Sequence, residues 1–282
     1  MPTSKLVIVG LVAIGALGVT LNSYIRTPWQ DPGDTRLHKE TASKLGYLSP
    51  SELPNSVALL PPPPAPGSAA MLRDERARQA ALTVRGTARY SLAADDAVRL
   101  HENTVQAFQC ALGTDISLKQ TPKLYELLSR VRLDVRAASY AAKSRYKRPR
   151  PFVVYNTRAC YADDEKAVHD DGSYPSARGA VGWAFALVLA KARPDRAEAI
   201  LKRAQDFAQS RIVCDLEWQS DVEAGRTLAV STVGRLEAND RFKADFAAAR
   251  KEVAAEVAAA VRPSRECESE RIALAGSQPR QN

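Results

Sequence analysis

Between residues 124 and 146, apolar side chains fall at Leu124, Leu127, Leu128, Val131, Leu133, Val135 and Ala138, with polar residues between them. The spacing is broadly that of one helical face, so the segment reads as an amphipathic helix. Residues 176–191 carry Val181, Trp183, Phe185, Leu187, Val188 and Leu189 and have almost no polar side. A helix that is apolar all round belongs inside a core. Further helices are expected over 69–82 and 92–112, from Pro194-Asp195 to about 212, and over 219–236 and 241–261. Alanine is dense in the last of these, which favours helix. Strand-like alternation is scarce. The pattern predicts an all-α fold, with one helical-bundle domain over 67–262.

The two ends read differently. Residues 26–66 form an extended arm, punctuated by Pro28, Pro32, Pro50 and Pro54 and closed by Pro61-Pro62-Pro63-Pro64-Ala65-Pro66. Four consecutive prolines exclude a helix interior and favour polyproline II. Tyr47-Leu48 and Val57-Ala58-Leu59-Leu60 are apolar enough to pack on the domain. At the start, Lys5 precedes an uncharged apolar run over 6–21. Its sixteen residues would span about 24 Å as a helix, short of the ~30 Å hydrocarbon core. Residues 1–25 are expected to be a signal peptide, cleaved near Ala16-Leu17-Gly18, or a signal anchor if the helix runs on through Ile25. Either places the domain outside the cytoplasm. Residues 263–282 read as a polar tail, frayed unless Cys267 is tied down.

At 282 residues, with 45% apolar and 26% charged side chains, the chain can bury one sizeable core. Cys110, Cys160, Cys214 and Cys267 suit an oxidising compartment and one or two disulfides, but four cysteines allow three pairings. Their spacing is too wide for a metal-ligand cluster, and no metal or cofactor is expected. The net charge is +8. Five of the nine residues from 143 to 151 are basic: Lys143, Arg145, Lys147, Arg148 and Arg150. A basic run is ordinarily a solvated face, and about two of these suit that. Nucleic acid would want interleaved aromatics, and only Tyr146 and Phe152 are at hand, so no nucleic-acid partner is expected. A small phosphorylated or anionic ligand explains the cluster more simply.

Three motifs in order sharpen this. Lys143 is followed after six residues by Arg150-Pro151. Then comes Gly172-Ser173-Tyr174-Pro175-Ser176-Ala177-Arg178. Last, Ser210-Arg211 is followed by Glu217 and, four further on, Asp221. This resembles the bacterial class A non-specific acid phosphatases, within the type 2 phosphatidic acid phosphatase and vanadium haloperoxidase superfamily. The likeness begins at Leu59-Leu60 and the proline run and continues to about residue 255. It implies a helical fold of that type and a periplasmic location, secreted or anchored to the inner membrane. The oligomeric state is left open, a homo-oligomer included.

The resemblance also assigns roles. Lys143, Arg150, Ser176, Ala177 and Arg211 would hold phosphate, the arginines through paired hydrogen bonds and residues 176–177 through a helix N-terminus. The family's second motif reads P-S-G-H and its third S-R-x5-H-x3-D. Ala177 therefore stands for Gly, and its methyl would crowd the ligand if the backbone had to adopt a glycine-type conformation. Arg178 stands for the His that protonates the leaving oxygen, and Arg does not give up its proton. Glu217 stands for the attacking His. A carboxylate there, about 4 Å from an anionic phosphate, would be repelled by roughly 4 kcal/mol at a surface-like dielectric. Asp221, which orients that His in the family, has no ring proton to accept. Arg178 and Arg211 are the cations expected near it, and Arg178 is expected to pair with Glu217 across the site.

Of the histidines, His38 lies in the arm, His101 in a helix, and His169 in a loop before Gly172, where an exposed side chain is expected. Three functions compete. The first is a phosphatase-like protein without catalysis that retains a phosphate- or anion-binding pocket. The second is a phosphomonoester hydrolase working through Glu217, as carboxylates do in aspartyl-phosphate enzymes. The third uses Glu217 and Asp221 as an acid and base on another substrate.

Overall fold

The computed structural model describes residues 46–275. The apolar run over 6–21, most of the arm and residues 276–282 lie outside them, so the signal or anchor expectation is not addressed there. Among the described residues no helix is long and apolar enough to cross a membrane.

The elements in chain order are α1 (Ser56–Leu59), α2 (Ala69–Leu82), α3 (Ala88–Ala97), α4 (His101–Gln106), α5 (Gln109–Leu112), α6 (Pro122–Tyr146), α7 (Pro151–Val154) and α8 (Ala162–Val168). Next come α9 (Ala177–Ala192), a 3-10 turn (Pro194–Arg196), α10 (Ala197–Val213), α11 (Gln219–Ala238), α12 (Asp240–Ala258) and α13 (Cys267–Ala275). The all-α expectation holds. So does the expectation for the apolar segment: α9 is the central helix, packed against α6, α10 and α11. Phe185, Leu189, Phe207, Leu128 and Leu228 are fully buried around it. Gly182 lets α10 approach, since a Cβ there would lie 2.5 Å from the Phe207 ring.

The helix expected over 92–112 is three shorter ones. Val98 leaves α3 with extended backbone (φ −56°, ψ 122°), and Gly113 closes α5 at φ 83°. No proline or glycine marks the break at Val98. Tertiary hydrogen bonds hold it instead: Arg178 to the Asp96 and Val98 carbonyls, and Arg132 to that of Arg99.

The visible part of the arm is docked. The Tyr47 and Leu48 N–H groups donate to the Asp134 carboxylate at 2.8 and 3.2 Å. Leu60 packs with Tyr174, whose hydroxyl donates to the Pro61 carbonyl at 2.6 Å. Leu59, expected to pack, is 39% exposed. Past Pro263 the chain is not frayed through to residue 275, because α13 is tied down by a Cys110–Cys267 disulfide. The second bridge is Cys160–Cys214.

Candidate functional site

Four chain segments meet beside the start of α9. The last turn of α6 supplies Lys143. Lys147, at φ 42°, then turns the chain into an extended stretch carrying Arg148 and Arg150, with Arg150 as the N-cap of α7. Ser176 caps α9, its Oγ accepting from the Gly179 N–H at 2.8 Å. Arg211 ends α10. The 214–218 loop then passes through Asp215, in the left-handed region at φ 62°. Arg78 of α2 fixes that residue with two hydrogen bonds of 2.6 and 2.8 Å. Two residues later the loop presents Glu217.

The Glu217 carboxylate is the centre of the arrangement. Its Oε2 accepts from Ser176 Oγ at 2.5 Å and from Arg211 Nε at 3.3 Å. Its Oε1 accepts from Arg150 Nη1 at 3.4 Å. Burial pushes the Glu217 pKa up, but Arg211, Arg150 and Lys143, with the Ser176 hydroxyl, bring it down to about 2. Lys143 Nζ donates to the Gly172 carbonyl and lies 3.5 Å from the Asp171 carboxylate. Burial drives its pKa down to about 8, with Asp171 opposing and Arg150 reinforcing. Arg150 also donates to the carbonyls of Val168, Asp171 and Leu216, each at 3.0 Å. It therefore anchors the loop as well as facing the carboxylate.

Asp221 sits one layer deeper. Its Oδ2 accepts from the Trp218 N–H at 2.8 Å, half of a capping box, and its backbone carbonyl accepts from the Ser176 N–H at 2.9 Å. Its Oδ1 accepts from Arg148 Nη1 at 2.7 Å. Burial, against Arg148 and with the Glu217 charge adding to it, raises the Asp221 pKa to about 6. Arg148 also reaches Asp74 of α2 at 2.7 Å. The cation beside Asp221 is thus Arg148, which sequence reasoning did not single out. Its membership of the basic run was the only signal. Arg145 and Lys147 are the exposed members of that run, matching the two expected.

The expected Arg178–Glu217 pair is not what forms. Arg178 donates to the carbonyl oxygens of Asp96, at 2.8 Å, and Val98, and lies over the Phe207 ring at 5.3 Å. Arg178 instead satisfies carbonyls left open where α3 ends. Glu217 meanwhile has Arg150 and Arg211 at hand. Ala177 opens α9 with ordinary helical backbone, so its methyl brings no strain. His169 is exposed and bonded to Asp170 at 2.8 Å. His101 is buried in the core against Tyr125 and Phe185, far below its ordinary pKa, at about 3. Among the described residues no group of three or more His, Cys, Asp and Glu side chains could hold a metal ion.

The sequence model of the PAP2 superfamily matches residues 131–236, which include all of these site residues from Lys143 to Asp221. The chain is 38% identical over 215 residues to a non-specific acid phosphatase of Providencia stuartii, covering 76% of this chain and 87% of that protein. It is 36% identical over 217 residues to one of Salmonella typhi, covering 77% and 87%. To an acid phosphatase of Zymomonas mobilis it is 35% identical over 194 residues, covering 69% and 74%.

Proposed function

Since the chain belongs to the non-specific acid phosphatases of the PAP2 superfamily, we propose that it is a pseudo-phosphatase: it keeps the scaffold and the phosphate-holding residues and does not transfer phosphoryl groups. The observation that carries this is the state of Glu217. Attack on phosphorus requires an electron pair free to advance on it. The Glu217 carboxylate is 2% exposed and engaged by Ser176, Arg150 and Arg211. Its charge also opposes an anionic substrate. On the leaving-group side, Arg178 is committed to the carbonyls of Asp96 and Val98 and has no proton to give.

The same reading places the protein in the periplasm, secreted or anchored. It is supported by the apolar run over 6–21 and by two disulfides, which persist in oxidising compartments. The test is hydrolysis of a chromogenic phosphomonoester from acid to neutral pH. The unmodified chain is expected to release no phenolate above the enzyme-free rate. The Arg178→His/Glu217→His double variant is expected to gain activity. Robust turnover by the unmodified chain that Glu217→Ala abolishes would overturn the proposal in favour of an acyl-phosphate route.

A further inference from the structure

We propose that the Glu217 carboxylate is the resident anion of the phosphate cradle: an intramolecular plug that occupies three of its donors, Ser176, Arg150 and Arg211, and whose removal opens a site for a tetrahedral oxyanion. This rests on the reading of Glu217 given above and concerns binding rather than turnover.

The donors come first. Ser176, Arg150, Arg211 and Lys143 are each 8% exposed or less. Buried cations need an anion close by, because their desolvation is otherwise uncompensated. A carboxylate supplies what a phosphate would: negative oxygens in the plane of an arginine fork. Ion pairs join four cations, Lys143, Arg148, Arg150 and Arg211, to four carboxylates, Asp74, Asp171, Glu217 and Asp221. A phosphate added beside Glu217 would face its negative charge.

The geometry shows the plug to be a loose one. Charge-assisted N–H···O bonds ordinarily close to about 2.7–2.9 Å, whereas Arg211 and Arg150 stand 3.3 and 3.4 Å from the carboxylate. Only Ser176 is in tight contact. The two-oxygen anion leaves both arginines at long range, and a tetrahedral anion would bring more oxygens to the same donors. Asp171, Gly172, Ala177 and Arg178 beside it are partly exposed, which leaves a small anion a way in once the side chain is shortened.

The experiment compares thermal unfolding of the full chain, Glu217→Ala and Glu217→Gln in inorganic phosphate or orthovanadate, against chloride at equal ionic strength. The unmodified chain should show no anion-specific shift, since its own carboxylate is in place. Glu217→Ala should unfold several degrees lower and be raised saturably by phosphate, as expected for a ligand that binds only the native state. Glu217→Gln, which keeps the shape and loses the charge, should be destabilised without rescue. Glu217→Ala/Arg211→Gln should lose the rescue. An unmodified chain that binds phosphate saturably, or a folded Glu217→Ala that gains nothing over chloride, would overturn the proposal. If Glu217→Ala fails to fold, refolding in phosphate decides: recovery of soluble protein only with the oxyanion supports it, and none with either salt overturns it. Turnover by the unmodified chain would remove the previous reading without touching these outcomes.

Discussion

Glu217 and Asp221 are both buried carboxylates four residues apart, yet their surroundings move them in opposite directions. For Glu217, burial is outweighed by Arg211, Arg150 and Lys143, and its pKa falls to about 2 from 4.5. The folded state then binds this proton less tightly than the unfolded one. Glu217 therefore adds stability above about pH 4.5, and loses it as pH falls towards 2. Asp221 is raised to about 6 from 3.8, chiefly by burial, so its charge weighs against the fold above pH 6 and that burden lifts as pH drops towards 4. Breaking a buried ion pair by removing one partner costs about 3–5 kcal/mol. Glu217→Gln should accordingly be less stable than the unmodified chain by about that amount at pH 6, and the gap should shrink steadily below pH 4.5. Urea unfolding at pH 6, 4 and 3 measures it, and a gap that stays constant with pH would refute the argument. The motif made most of this site legible. Lys143, Arg150, Ser176, Arg211, Glu217 and Asp221 are named by it, and the fold brings them together. Asp74 was not, because it reaches Arg148 and Ser220 only through packing of α2, 146 positions away from Ser220 in the chain. The direction of Arg178 was not legible either, since its partners are carbonyls 82 and 80 positions away in the chain.

At the scale of elements, the site exists because α11 lies close against the start of α9. Gly225 makes that approach feasible: a Cβ there would stand 2.5 Å from the Ser176 carbonyl oxygen and 3.3 Å from the Ala180 nitrogen, both backbone atoms that cannot swing aside. Gly234, about two and a half turns along the same helix, would place a Cβ in open space. The same substitution should then have opposite results. Gly225→Ala should cost about 1–3 kcal/mol, as overpacking does. Gly234→Ala should be neutral or stabilise by up to about 1 kcal/mol, from helix propensity alone. Thermal unfolding of the two variants side by side decides this, and equal shifts would show that the α9–α11 contact is not so tight. Periodicity revealed α6 and α9 well, because a 3.6-residue stripe and an unbroken apolar surface are strong signals. It missed the break inside 92–112, because Val98 is held out of the helix by Arg178 and the neighbouring turn by Arg132, neither of them a local partner.

For the whole molecule, the sequence pointed to one helical domain but left the cysteine pairing among three choices and the C-terminal end as a tail. The fold settles both through one buried polar cluster. Arg203 of α10 donates to Asp96 of α3 at 2.6 and 3.1 Å and lies 3.3 Å from Glu270 of α13. Arg265 lies 2.9 Å from the same Glu270. Helix α13 is thereby drawn onto α3, and Cys267 onto Cys110. The bridge closes a sequence separation of 157 residues, so in the unfolded chain it restricts about two thirds of the described residues. Loss of such a native disulfide typically costs about 2–5 kcal/mol. Two contributions can be separated. Restriction of the unfolded chain lowers global stability alike everywhere, whereas tethering of α13 protects that helix in particular. Cys110→Ala/Cys267→Ala should therefore lower the unfolding midpoint, and native-state hydrogen exchange should show whether residues 267–275 open independently. Because Glu270 still reaches Arg203 and Arg265, α13 is expected to stay docked in that variant and to exchange with the rest of the domain. Adding Glu270→Gln should release it, with fast exchange confined to α13. Fast exchange of α13 in the cysteine variant alone would show that the covalent bridge, not the buried ion cluster, is what closes the molecule at this end.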